Sequence, residues 1–127
     1  VAPSKKHTTD IGYDLTVIKK IKVCGKVTYY DSCIKLKPDP GYFVSIMPRS
    51  SISKSGYMLA NSVGIIDQTY TGTIIVALIK IDDTMPDLEL PKRIAQIIVQ
   101  PAIHCEVIFD DDIEETSRSV GGFGSTG

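Results

Sequence analysis

Thr73-Ile74-Ile75-Val76-Ala77-Leu78-Ile79-Lys80-Ile81 is apolar at nearly every position. A strand with one wet face alternates. A run like this one reads as a strand covered on both faces, so a second sheet or another subunit must cover its outer side. Strand signals continue in both directions from it, as short Val, Ile, Tyr and Thr runs broken by Gly, Pro, Asp and Ser. The expected strands are Leu15–Val23, Lys26–Tyr30, Ser32–Lys37, Tyr42–Met47, Gly72–Ile81, Ile94–Gln100 and Ile103–Phe109. Asp39-Pro40-Gly41 and Asp82-Asp83-Thr84 read as turns. One stretch, Ser51–Tyr57, offers a helical turn after Pro48. Many short strands and few helices predict an all-β fold, a jelly-roll sandwich or barrel with at most one short helix.

The length of 127 residues suits one domain. Area scaling predicts roughly 6,700 Å² accessible when folded against about 20,000 Å² unfolded, enough burial for a core without staples. Lys+Arg is 14 and Asp+Glu is 15, so the formal charge is −1. That excludes a strongly basic nucleic-acid glove and leaves room for a local anion site. No apolar run approaches the ~18 residues of a membrane span. No secretory leader is visible, and the chain does not begin with Met. Cys24, Cys33 and Cys105 are odd in number and far apart, with no CxxC. Zinc and thioredoxin-type chemistry fail on that spacing, and the expectation is three reduced, mostly buried thiols. His7 and His104 are isolated and read as structural or exposed.

Both ends differ from the middle. Val1–Thr9 is polar and reads as loose. From Asp110 the core pattern stops, and the Asp110–Asp112 and Glu114–Glu115 carboxylates read as a solvated surface. The expected division is a loose segment 1–9, a β-barrel core 10–109, and a linker and flexible arm 110–127. The arm ends Arg118-Ser119-Val120-Gly121-Gly122-Phe123-Gly124-Ser125-Thr126-Gly127, too rich in Gly, Ser and Thr to pack a core. Gly122 to Gly127 satisfies GxGxxG. A dinucleotide site would need that motif between a strand and a helix, and here the sequence given stops. The glycines still free backbone N–H groups to turn toward an anion, with Arg118 and Ser125 beside them.

Pro48-Arg49-Ser50-Ser51 is a strand end entering a helical start. Its free N–H groups suit phosphate oxygens, and a capped helix start with Ser50 or Ser51 as cap is an equal reading. Asn61 to Gly72 reads as strand, tight hairpin, strand, with Asp67 after Gly64-Ile65-Ile66 and Tyr70 three residues on. Such a carboxylate is commonly a turn residue, and in a cleft it can be a general base. Arg93-Ile94-Ala95-Gln96 opens a strand, and Gly12-Tyr13-Asp14-Leu15 lies near the N-terminus.

Taken together, in this order, these segments resemble the five motifs of the homotrimeric dUTPases. The likeness runs from Gly12 to Gly127 and is most specific around Asp67 and in the glycine-rich arm. It implies a dUTPase-like distorted jelly roll, three shared active sites per homotrimer, and Mg²⁺-assisted hydrolysis of dUTP to dUMP and pyrophosphate. The physiological counterpart would be limiting uracil in DNA and supplying dUMP for dTMP synthesis. By resemblance, Asp67 is the general base. Asp14 holds Mg²⁺ through its water shell. Arg49, Ser50, Ser51 and Gln96 grip phosphates and the attacking water. Tyr70 packs on the deoxyribose and excludes a 2′-hydroxyl. Asn61 and the backbone of Gly64, Ile65, Ile66 and Ile75 read uracil. Arg118, Phe123, Gly124 and Ser125 close over a neighbouring subunit's site, Phe123 on the base. The partners implied are dUTP and two more copies of the chain, with no nucleic acid or membrane. The setting implied is intracellular, cytoplasmic or nuclear, a viral protein in its host included.

Some positions depart from the family pattern. Ser119 and Val120 follow Arg118 where Gly is usual first, Ser51 often is Gly, Thr69 often is acidic or Gly, and Ile11 replaces a small residue. They bear on rate and arm closure more than on the reaction. A dCTP deaminase-like enzyme on the same fold is the nearest rival. It would need an acid ten residues after Asp67, where Ala77 stands, and its hairpin tends to carry Trp, which this chain lacks. More distant rivals are a catalytically weak dUTP sensor or partner-binding homologue, and a jelly-roll assembly subunit.

Overall fold

The structure, a computed structural model, describes all residues from Val1 to Gly127. Eight strands run in chain order: β1 Tyr13–Val17, β2 Lys19–Cys24, β3 Val27–Asp31, β4 Tyr42–Pro48, β5 Tyr57–Leu59, β6 Gly64–Ile66, β7 Ile75–Lys80 and β8 Lys92–Pro101. A 3₁₀ turn, Ser50–Lys54, is the sole helical element. The strands form two antiparallel four-stranded sheets, ordered β1-β8-β4-β6 and β2-β3-β7-β5. Consecutive strands repeatedly change sheet, as in a jelly roll.

Side chains from both sheets meet in one core. Leu15 and Val17, Val44 and Ile46, and Ile94, Ala95 and Ile97 come from the first sheet. Tyr30, Tyr57, Leu59, Val76 and Leu78 come from the second. The outer face of the second sheet carries Val27, Tyr29, Met58, Ile75, Ala77 and Ile79. Tyr29 stands opposite Ala77, and Ile79 opposite both Val27 and Met58. Met58 and Ile75 are exposed. The inner half of the Thr73–Ile81 expectation is thus met by the first sheet, and no part of this chain covers the outer half.

Three expected strands turn out differently. Leu15–Val23 breaks at Ile18, whose N–H bonds Asp31 O at 2.8 Å, and the two pieces join different sheets. Bulges at Leu15/Thr16 and Lys20/Lys22 give the twist that this corner needs. Ser32–Lys37 forms no strand. Asp31 Oδ1 accepts the Cys33 N–H at 2.8 Å, and Cys33 takes a left-handed φ of 58°, so the extended path ends there. Ile103–Phe109 has no strand partner in the chain, and its apolar side chains are exposed. The cysteines are also corrected: all three are free and exposed, because β2, the Cys33 kink and the post-β8 segment all lie outside the core.

The single chain exposes 9618 Å². That is roughly 2,900 Å² above the scaling for a compact monomer of its mass, and about half of the unfolded area is buried, not two-thirds. The uncovered sheet face and the open C-terminal segment account for this physically.

The irregular segment after β3 is held by Ser32, which is fully buried. Its hydroxyl donates to Ile74 O at 2.7 Å and accepts from Ile34 N at 3.2 Å. Ser32→Ala leaves the Ile34 N–H without that partner and should destabilise the fold by about 1–3 kcal/mol. Denaturant unfolding at fixed protein concentration measures it. An unchanged midpoint would show that the loop finds other partners.

Candidate functional site

Three neighbouring strands of the first sheet place the polar cluster. Asp14 on β1 stands opposite Gln96 on β8, and Met47 on β4 flanks Gln96 on the other side. Pro48 then ends β4, because it cannot continue a ladder as donor, and the chain turns outward with Arg49 and Ser50. Arg49 Nε donates to Asp14 Oδ1 at 2.7 Å. Its Nη1 reaches Ser51 Oγ at 3.4 Å and Arg93 O at 3.3 Å. Arg93 Nη1 lies 3.6 Å from the other Asp14 oxygen. The Asp14 side chain is 23% exposed and that of Arg49 is 29% exposed, so the pair is partly desolvated. Gln96 Nε2 donates to Pro48 O at 2.9 Å. A Cβ on Gly12 would overlap the Gln96 amide, so the close approach of β1 to Gln96 demands glycine there.

Asp14, Arg49, Ser50 and Gln96 line an open cleft of about 330 Å³ with Lys5, Lys6 and Asp10. The three cations Lys5, Lys6 and Arg49 outnumber Asp10 and Asp14 by one. The sequence reading missed Lys5, Lys6 and Asp10. The segment read as loose is tied back by a bridge between Ser4 and Asp14, with Asp14 N donating to Ser4 O at 2.7 Å. A polar N-terminal stretch carries no sequence signal for such pairing. The helix-cap reading of the serines is also overturned. Arg49 is the N-cap residue, and no side chain caps the turn. The Ser50 hydroxyl is left facing the cleft without a capping duty.

The Asp67 segment lies elsewhere. It is not a simple hairpin: β6 pairs with β4 and β7 pairs with β3 and β5, so the loop crosses between sheets. Ile66 stands opposite Val44 and Gly64 opposite Ile46. Asp67 therefore continues past the Phe43 end of β4, while Arg49 leaves the opposite end. At ~3.4 Å per residue, the two are roughly 20 Å apart along the sheet. Asp67 itself is exposed, and its C=O accepts the Tyr70 N–H at 3.0 Å, closing a turn. Tyr70 donates its hydroxyl to Thr73 O at 2.8 Å, and its ring edge lies where a Gly72 Cβ would stand. The ring is thus fixed with its hydroxyl already used. Asn61 sits at the other end of β6 beside Gly64, where a Cβ would be 3.4 Å from Asn61 Nδ2. Ile65 and Ile75 are exposed, and Ile66 is half-buried. His104, which the sequence left without a role, contacts Gln68 Oε1 at 3.3 Å, next to Asp67.

The arm is a third, separate group. Arg118 Nε donates to Gly121 O at 2.7 Å, and a Cβ on Gly121 would stand 2.9 Å from Ser125 Oγ. This compact turn holds the guanidinium and the Ser125 hydroxyl on one short loop. Phe123 is fully exposed with φ 47°, and Gly124 has φ 87°. Ser119 takes φ 50°, a left-handed conformation that Gly adopts freely and Ser does not. The departure noted at Ser119 therefore has a conformational cost.

The chain brings together Asp14, Arg49, Ser50, Ser51 and Gln96, and keeps Asn61, Gly64, Ile65, Ile66, Asp67, Tyr70 and Ile75 apart from them. It offers no group of three His, Cys, Asp or Glu able to ligate a metal directly. Both Asp14 oxygens already face arginines, so this donor set fits a cation only through water or on a ligand's own oxygens. No helix is long and apolar enough to cross a membrane.

Comparison with known proteins bears on this arrangement. The dUTPase family model matches residues 1–127. A deoxyuridine 5'-triphosphate nucleotidohydrolase of Picosynechococcus sp. is 34% identical over 129 residues, covering 100% of this chain and 91% of that protein. The like-named protein of Escherichia phage T5 is 39% identical over 105 residues, covering 81% and 70%. That of Ralstonia pickettii is 41% identical over 90 residues, and the match spans 61% of its length. Among solved structures, the Streptococcus mutans dUTPase superposes with TM-score 0.71 at 25% identity over 83% of this chain and 88% of that one. The dUTPase of Staphylococcus bacteriophage 80alpha, solved with dUPNHPP, gives TM-score 0.80 at 22% identity over 100% and 92%, a likeness of fold. With the sheet order, the family match over the whole length and the full-length relative in agreement, the chain belongs to the dUTPase family.

Proposed function

We propose that the chain hydrolyses dUTP to dUMP and pyrophosphate at sites shared between the copies of a homotrimer. One observation carries the shared site: Asp67 and Tyr70 lie roughly 20 Å along the sheet from Arg49 and its cluster. No single chain can bring them to one nucleotide. The uncovered apolar face around Met58, Ile75 and Ile79 supports a second copy docking there. The composite pocket then takes its phosphate-facing group from one copy, its Asp67–Tyr70 loop from another, and its arm from a neighbour.

In this reading the triphosphate lies in the Asp14–Arg49 cleft. Asp14 orients the guanidinium through Nε, Ser51 and Arg93 O hold Nη1, and Nη2 keeps its protons for phosphate oxygens. Ser50 adds a hydroxyl, and Gln96, steadied by Pro48 O, keeps one amide proton for the nucleophilic water. Asp67 takes a proton from that water as its oxygen attacks the α-phosphorus, and pyrophosphate leaves with the bridging oxygen. One water is consumed for each dUTP. A carboxylate is a weak base, so placement matters more than basicity. Magnesium, when bound on the triphosphate, neutralises charge and fixes its shape. Asp14, which shares the cleft with Asp10, would hold its water shell.

Tyr70, fixed by Thr73 O and Gly72, presses its ring on the deoxyribose and leaves no room for a 2′-hydroxyl. Asn61 and the backbone of Gly64 to Ile66 and Ile75 read the uracil edge, where a wrong base leaves buried polar groups unpaired. Arg118, Ser125 and Gly124 approach the phosphates, and Phe123 stacks on the base as the arm closes. A free nucleotide substrate places the activity inside cells, in cytoplasm or nucleus.

Subunit complementation tests the shared site. Asp67→Asn and Ser50→Ala proteins, each inactive or weak alone, should recover about a quarter of wild-type activity after unfolding and co-refolding in equal amounts. No recovery would place both groups in one chain's site. In the homogeneous trimer, Asp67→Asn should lower kcat by about 10²–10⁴-fold with dUTP binding kept. Wild-type turnover in that variant would remove Asp67 as base. Deleting Arg118–Gly127 should leave the oligomer intact by light scattering and activity poor. Dissociation on deletion would make the arm structural.

A further inference from the structure

A second cleft, of about 240 Å³, opens at the end of the second sheet, between β2, β3, β7 and the loop before β8. None of its lining residues belongs to the Asp14–Arg49 cleft. Three ammonium groups border it: Lys20 on β2, Lys26 on the β2–β3 turn and Lys80 at the end of β7. One carboxylate, Asp87, faces them. Three charges against one leave the mouth at +2.

Asp87 behaves as an internal counter-ion. It accepts from Lys80 at 2.7 Å, yet its side chain is 91% exposed. Lys20 also acts on it: Lys80 first, then Lys20, holds the Asp87 carboxyl below the ordinary carboxylate range. An exposed carboxylate on a loop is easily displaced by a better anion. The floor supplies hydrogen bonds. Tyr30 is 6% exposed, lines the cleft, and shares hydrogen bonds with the neighbouring Tyr57 and Thr28 hydroxyls. Burial above all, then Tyr57 and Asp87, raises the Tyr30 hydroxyl above its usual pKa. Tyr57 is anchored by accepting the Leu88 N–H at 3.2 Å, which ties the rim loop to the floor.

Three lysines above a floor of hydroxyls make a cationic, donor-rich pocket, and its volume is below that of drug-sized ligand sites. We propose that this cleft binds a small inorganic phosphoryl anion, phosphate or pyrophosphate. The anion takes the place of Asp87 between Lys80 and Lys20, with Lys26 closing over it and the linked Tyr30 and Tyr57 hydroxyls forming the floor. The site is separate from the one proposed for hydrolysis and does not depend on that assignment.

The test uses the full chain, with its other cleft saturated by a non-hydrolysable dUTP analogue, and titrates inorganic phosphate and pyrophosphate by calorimetry in parallel. The double variant Lys20→Ala/Lys26→Ala should bind at least roughly tenfold more weakly. Asp87→Asn, which removes the competing carboxylate, should bind more tightly than the wild type. Rising salt should weaken binding to all three. Uptake of orthophosphate points to a single phosphoryl group, and uptake of pyrophosphate alone to the larger anion. Circular dichroism checks that the variants fold. Equal affinities in the three proteins, weaker binding by Asp87→Asn, or no phosphoryl binding by the wild type would overturn the proposal.

Discussion

The pairing of β4 with β8 on one side and β6 on the other governs the rest of the molecule. It holds Arg49 just past one end of a seven-residue strand and Asp67 near the other, level with Phe43. A β-strand cannot shorten, since its rise of ~3.3 Å per residue is set by the backbone. Groups that the proposed reaction requires side by side are therefore kept apart within each chain. In the proposed homotrimer, association restores their proximity, and the apolar outer face of the second sheet is the surface proposed for it. Fold, oligomer and chemistry then depend on one another.

Within the Asp14–Arg49 cluster, the ion pair is better understood as a positioning device than as a source of stability. Both side chains keep a quarter or so of their surface in water, and such pairs contribute modestly. Their value is geometric. The Nε bond fixes the plane of the guanidinium, the Nη1 contacts fix its rotation, and the remaining edge is presented to the cleft already oriented. Gly12 and Gln96 work similarly. A backbone without a Cβ lets β1 approach the amide that Pro48 O steadies. The Asp67 side shares this logic, since Tyr70 uses its hydroxyl on Thr73 O to leave the ring as a fixed wall.

Much of this was legible one residue at a time. The apolar Thr73–Ile81 run announced a strand needing cover on both faces, and the motifs around Asp67 and the glycine-rich arm announced the family. The errors came where local pattern was overruled by partners distant in sequence. Leu15–Val23 has unbroken strand character, yet Asp31 captures Ile18 and divides it between sheets. Ser32–Lys37 looks extended, yet the Asp31 carboxylate turns Cys33 into a left-handed kink. Val1–Thr9 has no apolar period at all, yet Ser4 pairs with Asp14 and delivers Lys5 and Lys6 to the cleft. The cationic mouth around Tyr30 was invisible for the same reason: its lysines sit on three different segments.

By itself, then, the sequence determined the class of fold, the residue types able to handle a phosphorylated nucleotide, and the glycine-rich character of the arm. Those properties follow from side-chain period, composition and short-range spacing, which are written locally. Tertiary structure alone decided which of those residues share a cleft. It also decided that Asp67 stands far from Arg49 and that the outer face of the second sheet remains bare. Distances of that kind are set by strand order and register. Both arise from burying the core between two sheets, and neither has a signature in any contiguous stretch of chain.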